Sequence, residues 1–311
     1  MSLINKVIDK WERYATVRTR PRRILTDRDI NTCHFFPVGK LPLCTHPSVL
    51  EMGPEAIRFI QVQALYHYLQ GIANIELDII NDSHFQLYKN HLGMTFPVEM
   101  QLESLCVIVD ESYHALVAID LLNQVKTFTG ITVAKMPEMT EVSYAVERVV
   151  GIAPESVREL VRMSCVCLSE QVLTSELINI LNNEDLFPSF YHVMKDHVSD
   201  EGRHAKFSQR ILNHIWDFSS EDMKSAIAVS INHFMENYAN NSIAENVDEA
   251  ILRALNIDEV RIAEIIAETY PEPSDHLSLI DNPSVKKMVL ALDKAGISAY
   301  LPVHNHELVR G

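Results

Sequence analysis

Asp196-His197-Val198-Ser199-Asp200-Glu201-Gly202-Arg203-His204 crowds two imidazoles and several carboxylates into one short stretch. On an α-helix each residue advances about 100°. His197, Glu201 and His204, four and three apart, therefore fall within roughly a 60° arc of one face. Imidazole, carboxylate and imidazole aimed at one point suit a transition metal such as iron, manganese or zinc. A solvated polar face that happens to carry two histidines is the competing reading, and this stretch alone does not separate the two.

A second stretch shifts the balance. Asp110-Glu111-Ser112-Tyr113-His114 repeats the pattern Asp-Glu-x-x-His. With 42 acidic residues and 14 histidines in 311 positions, acid-acid-x-x-His should arise by chance only about 0.25 times per chain, so two copies carry weight. Each copy also has an upstream partner: Glu76 lies 35 residues before Glu111, and Glu170 lies 31 before Glu201. Both partners sit in apolar, helix-forming segments, where an unpaired carboxylate is costly to bury. Two helices bearing a Glu and two bearing Glu-x-x-His make up the donor set of a carboxylate-bridged dimetal site in a four-helix bundle. The fold expected is therefore all-α, a ferritin-like four-helix bundle with additional packing helices.

Composition agrees. Glycine is scarce, at 9, and proline modest, at 13, which favours a helical chain with few tight turns. A formal net charge of −15 argues against general nucleic-acid or anionic-membrane binding, since both need a basic face. No apolar run approaches the length of a membrane span, and residues 1 to 14 lack the continuous apolar core of a secretory signal. The five cysteines, at 33, 44, 106, 165 and 167, form neither a disulfide framework nor a zinc ribbon. Cys165 and Cys167 read as small buried hydrophobes. A reduced, cytoplasmic protein is expected.

Along the chain, a helix is expected over 3–17, then a basic arm at Arg18, Arg20, Arg22 and Arg23 that pairs with acids elsewhere. Asp27 to Gly53, with three prolines, reads as an irregular connection. Proline then marks helix starts at Pro54, Pro97, Pro154 and Pro188. The helices they open run to about Asn81, Lys126, Leu181 and Trp216, and each carries its acids on an apolar stripe. Leu69, Ile72, Ala73 and Ile80 flank Glu76; Val107, Ile108, Ala115 and Ala118 flank Glu111 and His114; Met163, Val166, Cys167, Leu173 and Leu177 flank Glu170. Thr129 to Gly151 is broken, with a short helix from Thr140. Further amphipathic helices are expected over 221–238, 247–255, 260–270 and 283–295, with a loop at Glu272-Pro273-Ser274-Asp275. The whole, 1–311, reads as a single domain, with the donor-bearing bundle over about 55–215 and C-terminal packing helices over about 220–300.

Asp110 and Asp200 each precede a donor Glu. An acid there can accept the other ring N–H of a ligating imidazole and fix its tautomer, and Arg203 is placed to pair with one of them. Tyr113 points about 100° away from His114. The carboxylate-rich donor set matches iron or manganese better than zinc or copper. With no G-x-G-x-x-G, no P-loop and no cysteine cluster, the chain carries no redox module of its own. Electrons are expected from an external donor, a ferredoxin or a reductase.

The set Glu76, Glu111, His114, Glu170, His197, Glu201 and His204 resembles that of the p-aminobenzoate N-oxygenase (AurF-like) non-heme di-iron family. His197, a third histidine one turn before the last Glu-x-x-His, is the distinctive member. The resemblance covers roughly 55–215 in motif and the whole chain in length. It implies a homodimeric enzyme with all seven residues binding two iron ions, Glu111, His197 and Glu201 being the catalytic members. With O2 as co-substrate, such an enzyme oxidises an amine to a hydroxylamine, nitroso or nitro product through a peroxo-diferric intermediate, in natural-product biosynthesis. A di-iron C–H hydroxylase or desaturase, or a ferritin-like iron-binding protein, is the alternative. The Glu76 helix offers no Lys or Arg between Arg58 and Lys89. That counts against a carboxylate-bearing substrate such as p-aminobenzoate, and leaves another amine, small or carrier-bound.

Overall fold

The computed structural model describes residues 3–26, 34–182, 185–240, 242–271, 279 and 282–301. The described residues are 79% helical with no strand; among them only an isolated bridge, His34 to Leu186, pairs extended backbone. Leu3–Tyr14 forms α1, and short helical turns follow at Thr16–Thr19 (α2) and Pro47–Leu50 (α3). Pro54 occupies the first turn of α4 (Pro54–Ile75), where its missing N–H costs nothing. A single π-helical turn, Glu76–Ile80, then runs into α5 (Asn81–Tyr88). α6 spans Val98–Thr129 and ends at Gly130, whose φ of 68° is the left-handed C-cap conformation that glycine adopts freely. α7 (Glu141–Ile152) starts with a reciprocal capping box between Thr140 and Ser143. α8 (Arg158–Leu181) and α9 (Pro188–Phe218) follow. α10 (Glu221–Ala239), α11 (Ile243–Ala254), α12 (Glu259–Thr269) and α13 (Pro283–Lys294) complete the order.

Four long elements carry the proposed donors. α8 packs along α9, α4 along α6, and α6 against α9, while α5 reaches both α6 and α8. α1 lies on α6, α7 and α13 cover α8, α10 packs on α7 and α8, and α11 pairs with α12. Two apolar clusters fill the interior, and the polar positions fall where they meet. On α6, Val107 belongs to one and Ala118 to the other, with Glu111 and His114 between. On α9, Met194 and Phe207 bracket His197, Glu201 and His204 in the same way. Of the apolar residues expected to flank Glu76 and Glu170, all are buried except Ile72 and Leu173. Those two face a cavity described below.

Several boundaries differ from expectation: α8 begins at Arg158, after a 3-10 turn at Glu155–Val157, rather than at Pro154, and α11 begins at Ile243 rather than at 247. The first helix stops at Tyr14, because Ala15 turns extended (φ −62°, ψ 132°) and presents Thr16 N–H to Asp200. The Glu76 helix is not one uninterrupted α-helix, since the π turn inserts immediately at the donor Glu. Helical turns at Val38–Lys40 and Pro42–Thr45, with α3, structure the described part of the segment 27–53 that reads as irregular. Glu272 to Asp275 and Cys33 lie outside the described residues. The other four cysteines are free and buried. No helix among the described residues is long and apolar enough to cross a membrane.

Candidate metal centre

The i, i+3 and i, i+4 spacings do locally what helical geometry requires. On α6, His114 Nδ1 lies 2.9 Å from Glu111 Oε2. On α9, Glu201 Oε1 lies 3.2 Å from His197 Nε2 and 3.3 Å from His204 Nδ1. Contacts between helices then close the group. His197 Nε2 is 3.0 Å from Glu76 Oε1, and His204 Nδ1 is 2.8 Å from Glu111 Oε1. The rings of His114 and His197 are tilted with centroids 4.1 Å apart. All seven residues are buried, none more than 8% exposed.

Their donor atoms fall into two groups, Glu76, Glu111, His114 and His197 in one and Glu111, Glu170, Glu201 and His204 in the other. Within each group the atoms lie within 4.8 Å of one another, and Glu111 belongs to both. Glu76 Oε2, Glu111 Oε1, both Glu170 oxygens, Glu201 Oε1 and His204 Nδ1 are buried without a hydrogen-bond partner. Unpaired buried carboxylate oxygens cost more than almost any other buried group. Five of them, with His204 Nδ1, turned toward shared points fit cations, and the mixture of carboxylate and imidazole fits iron.

A shell of acids holds the imidazoles in place. His114 Nε2–H donates to Asp200 Oδ2 at 3.0 Å and His204 Nε2–H to Asp110 Oδ2 at 3.2 Å, each across to the other helix. Both rings are thereby left with Nδ1 facing the carboxylates. Arg203 Nη2 donates to Asp110 Oδ2 at 3.0 Å and also to Asp200 Oδ1. One guanidinium thus stands against six carboxylates, Glu76, Glu111, Glu170, Glu201, Asp110 and Asp200, a surplus of negative charge suited to metal cations. Burial pushes the Glu76 carboxyl up to about 7, against the pull of His197 and His114. Burial, then the charges of Glu201 and Glu111, push Glu170 well above the usual range. For His114 and His204 burial acts downward, but the carboxylates around them win and raise both.

Two residues of this shell leave no local trace in the sequence. Trp11 Nε1–H donates to Asp110 Oδ1 at 2.8 Å, and Thr16 holds Asp200 through its backbone N–H at 3.2 Å and its hydroxyl. Both come from the N-terminal segment. The arginines beside them pair as a surface arm should, Arg18 with Glu12, Arg20 and Arg23 with Asp196, and Arg22 with Asp120. Tyr113 sits on the Arg23 and Asp196 side, outside both donor groups. His84 is buried against Ser104 Oγ at 3.1 Å, and burial lowers its pKa to about 3; it joins neither group.

A family model described as p-aminobenzoate N-oxygenase AurF matches residues 31–279, a span containing all seven donors. The chain belongs to the AurF family. No individual curated protein matches it. Membership agrees with the helical fold and with the oxygen- and nitrogen-donor set. A cavity of about 380 Å³ opens on these donor groups, with Glu76, Glu111, His197 and Glu201 in its wall beside Ile72 and Leu173. Space for an organic molecule therefore meets the donor groups on the Glu76 and His197 side.

Proposed function

We propose that the protein is a non-heme di-iron N-oxygenase that uses O2 to oxidise an amine. The observation that carries this reading is the pair of buried donor groups sharing Glu111, set at one end of an organic-sized cavity in a chain of the AurF family. Glu76, Glu111, His114 and His197 would hold one iron, and Glu111, Glu170, Glu201 and His204 the other. When bound, the two irons supply the electrons that reduce dioxygen. The residues do the rest. Asp200 and Asp110 fix the tautomers of His114 and His204, so that each presents a lone pair on Nδ1. Apolar side chains such as Ile72, Leu173 and Leu177 exclude water from the approach and keep an amine there neutral, its lone pair free for attack. For a hydroxylamine product the balance is amine, O2, two electrons and two protons giving hydroxylamine and water. The two electrons come from an external donor such as a ferredoxin or a reductase.

The test is product analysis with labelled oxygen. Protein loaded anaerobically with ferrous iron, then given a chemical reductant, a panel of amines and ¹⁸O2, should yield hydroxylamine, nitroso or nitro compounds with the label on nitrogen. Label found on carbon would replace this reading with that of a C–H hydroxylase.

A further inference from the structure

The far wall of the same cavity is acidic. Glu176 on α8, Glu141 at the start of α7 and Asp248 on α11 all line it. Phenols orient two of these acids: Tyr238 Oη donates to Glu176 Oε1 at 3.1 Å and Tyr270 Oη to Asp248 Oδ2 at 2.7 Å. Both hydroxyls are spent as donors, so the second oxygen of each carboxylate remains for another partner. Among the described lining residues the only permanently cationic side chain is Lys40, which is exposed and, among the described residues, makes no ion pair. His67 also lines the cavity, and burial lowers its pKa, so it supplies no charge near neutrality. Burial pushes both Glu176 and Asp248 up; at Glu176 the Lys40 charge and the Tyr238 hydrogen bond oppose it without prevailing, and at Asp248 the Tyr270 hydrogen bond does the same.

Tyr68 lines the cavity as well. Burial, then the charges of Glu176, Glu76 and Glu201, raise its phenol, and among the described residues no hydrogen bond holds it. It is an unspent polar group on a path otherwise walled by Ile72, Leu173 and Leu177. The length of that path follows from α8, which carries Glu170 at the metal centre and Glu176 on the acidic wall. Six residues of helix rise about 9 Å, too far for one amino group to touch both ends.

We infer that the acidic wall is a subsite for a second, positively charged nitrogen of the substrate, so that the preferred substrate class is an aliphatic diamine or a related amine bearing a remote cation. The inference rests on the N-oxygenase reading for the fate of the near amine, but the subsite is a property of the cavity itself. The remote ammonium replaces its water with the free oxygens of Glu176 and Asp248, and the hydrocarbon lies along the apolar walls. The near nitrogen reaches the donor groups uncharged. An anionic substrate such as p-aminobenzoate meets three carboxylates and is repelled.

The experiment compares probes that differ only in the remote group. Full-length protein loaded with ferrous iron under anaerobic conditions is titrated calorimetrically with 1,5-diaminopentane, 1-aminopentane and p-aminobenzoate. The diamine should bind about tenfold or more tightly than the monoamine, and its advantage should shrink as salt is raised, since partly exposed charge pairs are screened. The Glu176→Gln/Asp248→Asn variant should abolish the preference while keeping wild-type iron content. A diamine that binds no better than the monoamine, including no binding by either, overturns the subsite, as does tight binding of p-aminobenzoate by the wild type. The wild-type comparison decides even if the variant fails to fold. A preserved diamine preference with no N-oxygenated product would instead overturn the N-oxygenase reading and leave the subsite standing.

Discussion

His114 Nε2 and Asp200 Oδ2 lie 3.0 Å apart across α6 and α9, and His204 Nε2 with Asp110 Oδ2 repeats the arrangement in the opposite sense at 3.2 Å. Each Asp-Glu-x-x-His stretch thus supplies the acid that orients the other stretch's histidine. The crossing explains why the motif occurs twice. A single copy would leave its imidazole free to choose either tautomer. Arg203 spans the two aspartates, so the shell behaves as one network rather than two pairs.

Replacing Asp200 by Asn should weaken iron binding about 10- to 100-fold, the usual cost of losing such an orienting carboxylate. Helicity should be unchanged. Ferrous titration under anaerobic conditions measures the affinity, and unaltered binding would show that the Asp200 contact does not hold His114 for a metal.

His197 stands apart from the other two imidazoles, because among the described residues no carboxylate holds its second ring nitrogen. His197→Ala leaves six donors, so iron should still bind, about 10- to 100-fold more weakly by analogy with lost supporting contacts. Amine oxidation should fall much further. Wild-type product yield from the variant at saturating iron would remove His197 from the catalytic set.

Glu170 buries both carboxylate oxygens without a partner, which makes it expensive unless a cation arrives. Ferrous iron at a hundredfold above its Kd should stabilise the wild type by about 2.7 kcal/mol, and a chelator should reverse the gain. Glu170→Gln should lose most of that response while its metal-free melting temperature stays close to wild type. Thermal melts with and without iron test this, and a full response in the variant would contradict a ligand role.

Much of this was legible because the donors are polar residues on apolar stripes, and helical spacing alone puts His197, Glu201 and His204 on one face. Proline before the first turn located the starts of α4 and α9 equally well. Trp11 and Thr16 were not legible. They reach Asp110 and Asp200 across 99 and 184 residues, and nothing in local spacing encodes so distant a contact. The π turn at Glu76–Ile80 carries no glycine or proline to announce it; wide turns of this kind are set by packing and often sit at functional sites. The acidic wall is illegible in the sequence for a similar reason, since Glu141, Glu176 and Asp248 come from three different helices.

Asp248 gives a pH signature. Burial holds its carboxyl up to about 6 from an ordinary 3.8, against the donation from Tyr270. The folded protein therefore binds this proton more tightly than the unfolded chain does, so its contribution to stability is present below the unfolded value and lost as pH rises through the folded one. Asp248→Asn keeps an acceptor for Tyr270 and removes the charge. It should be more stable than wild type above about pH 7, by something on the order of 2 kcal/mol, and no more stable near pH 4. Urea denaturation at the two pH values checks it, and a difference independent of pH would contradict the assignment.

At Gly71, α4 lies against the cap of α7. A Cβ there would meet Thr140 Cγ2 at 3.0 Å, and Thr140 is fixed by its capping box. Gly71 also lines the cavity. Gly71→Leu should therefore fill the approach, lowering amine turnover at least tenfold while iron content stays at the wild-type level. Loss of iron along with turnover would mean that the helix itself had shifted.

The central claim is that this chain holds two metal ions between α4, α6, α8 and α9, and metal stoichiometry tests it most directly. Purified protein stripped with chelator, loaded anaerobically with ferrous iron and freed of excess should contain two irons per chain by elemental analysis. Replacing Glu111, the residue shared by both donor groups, with Ala should cost both. A wild-type value of one or none, or tight binding of a single zinc in preference to iron, would contradict the account.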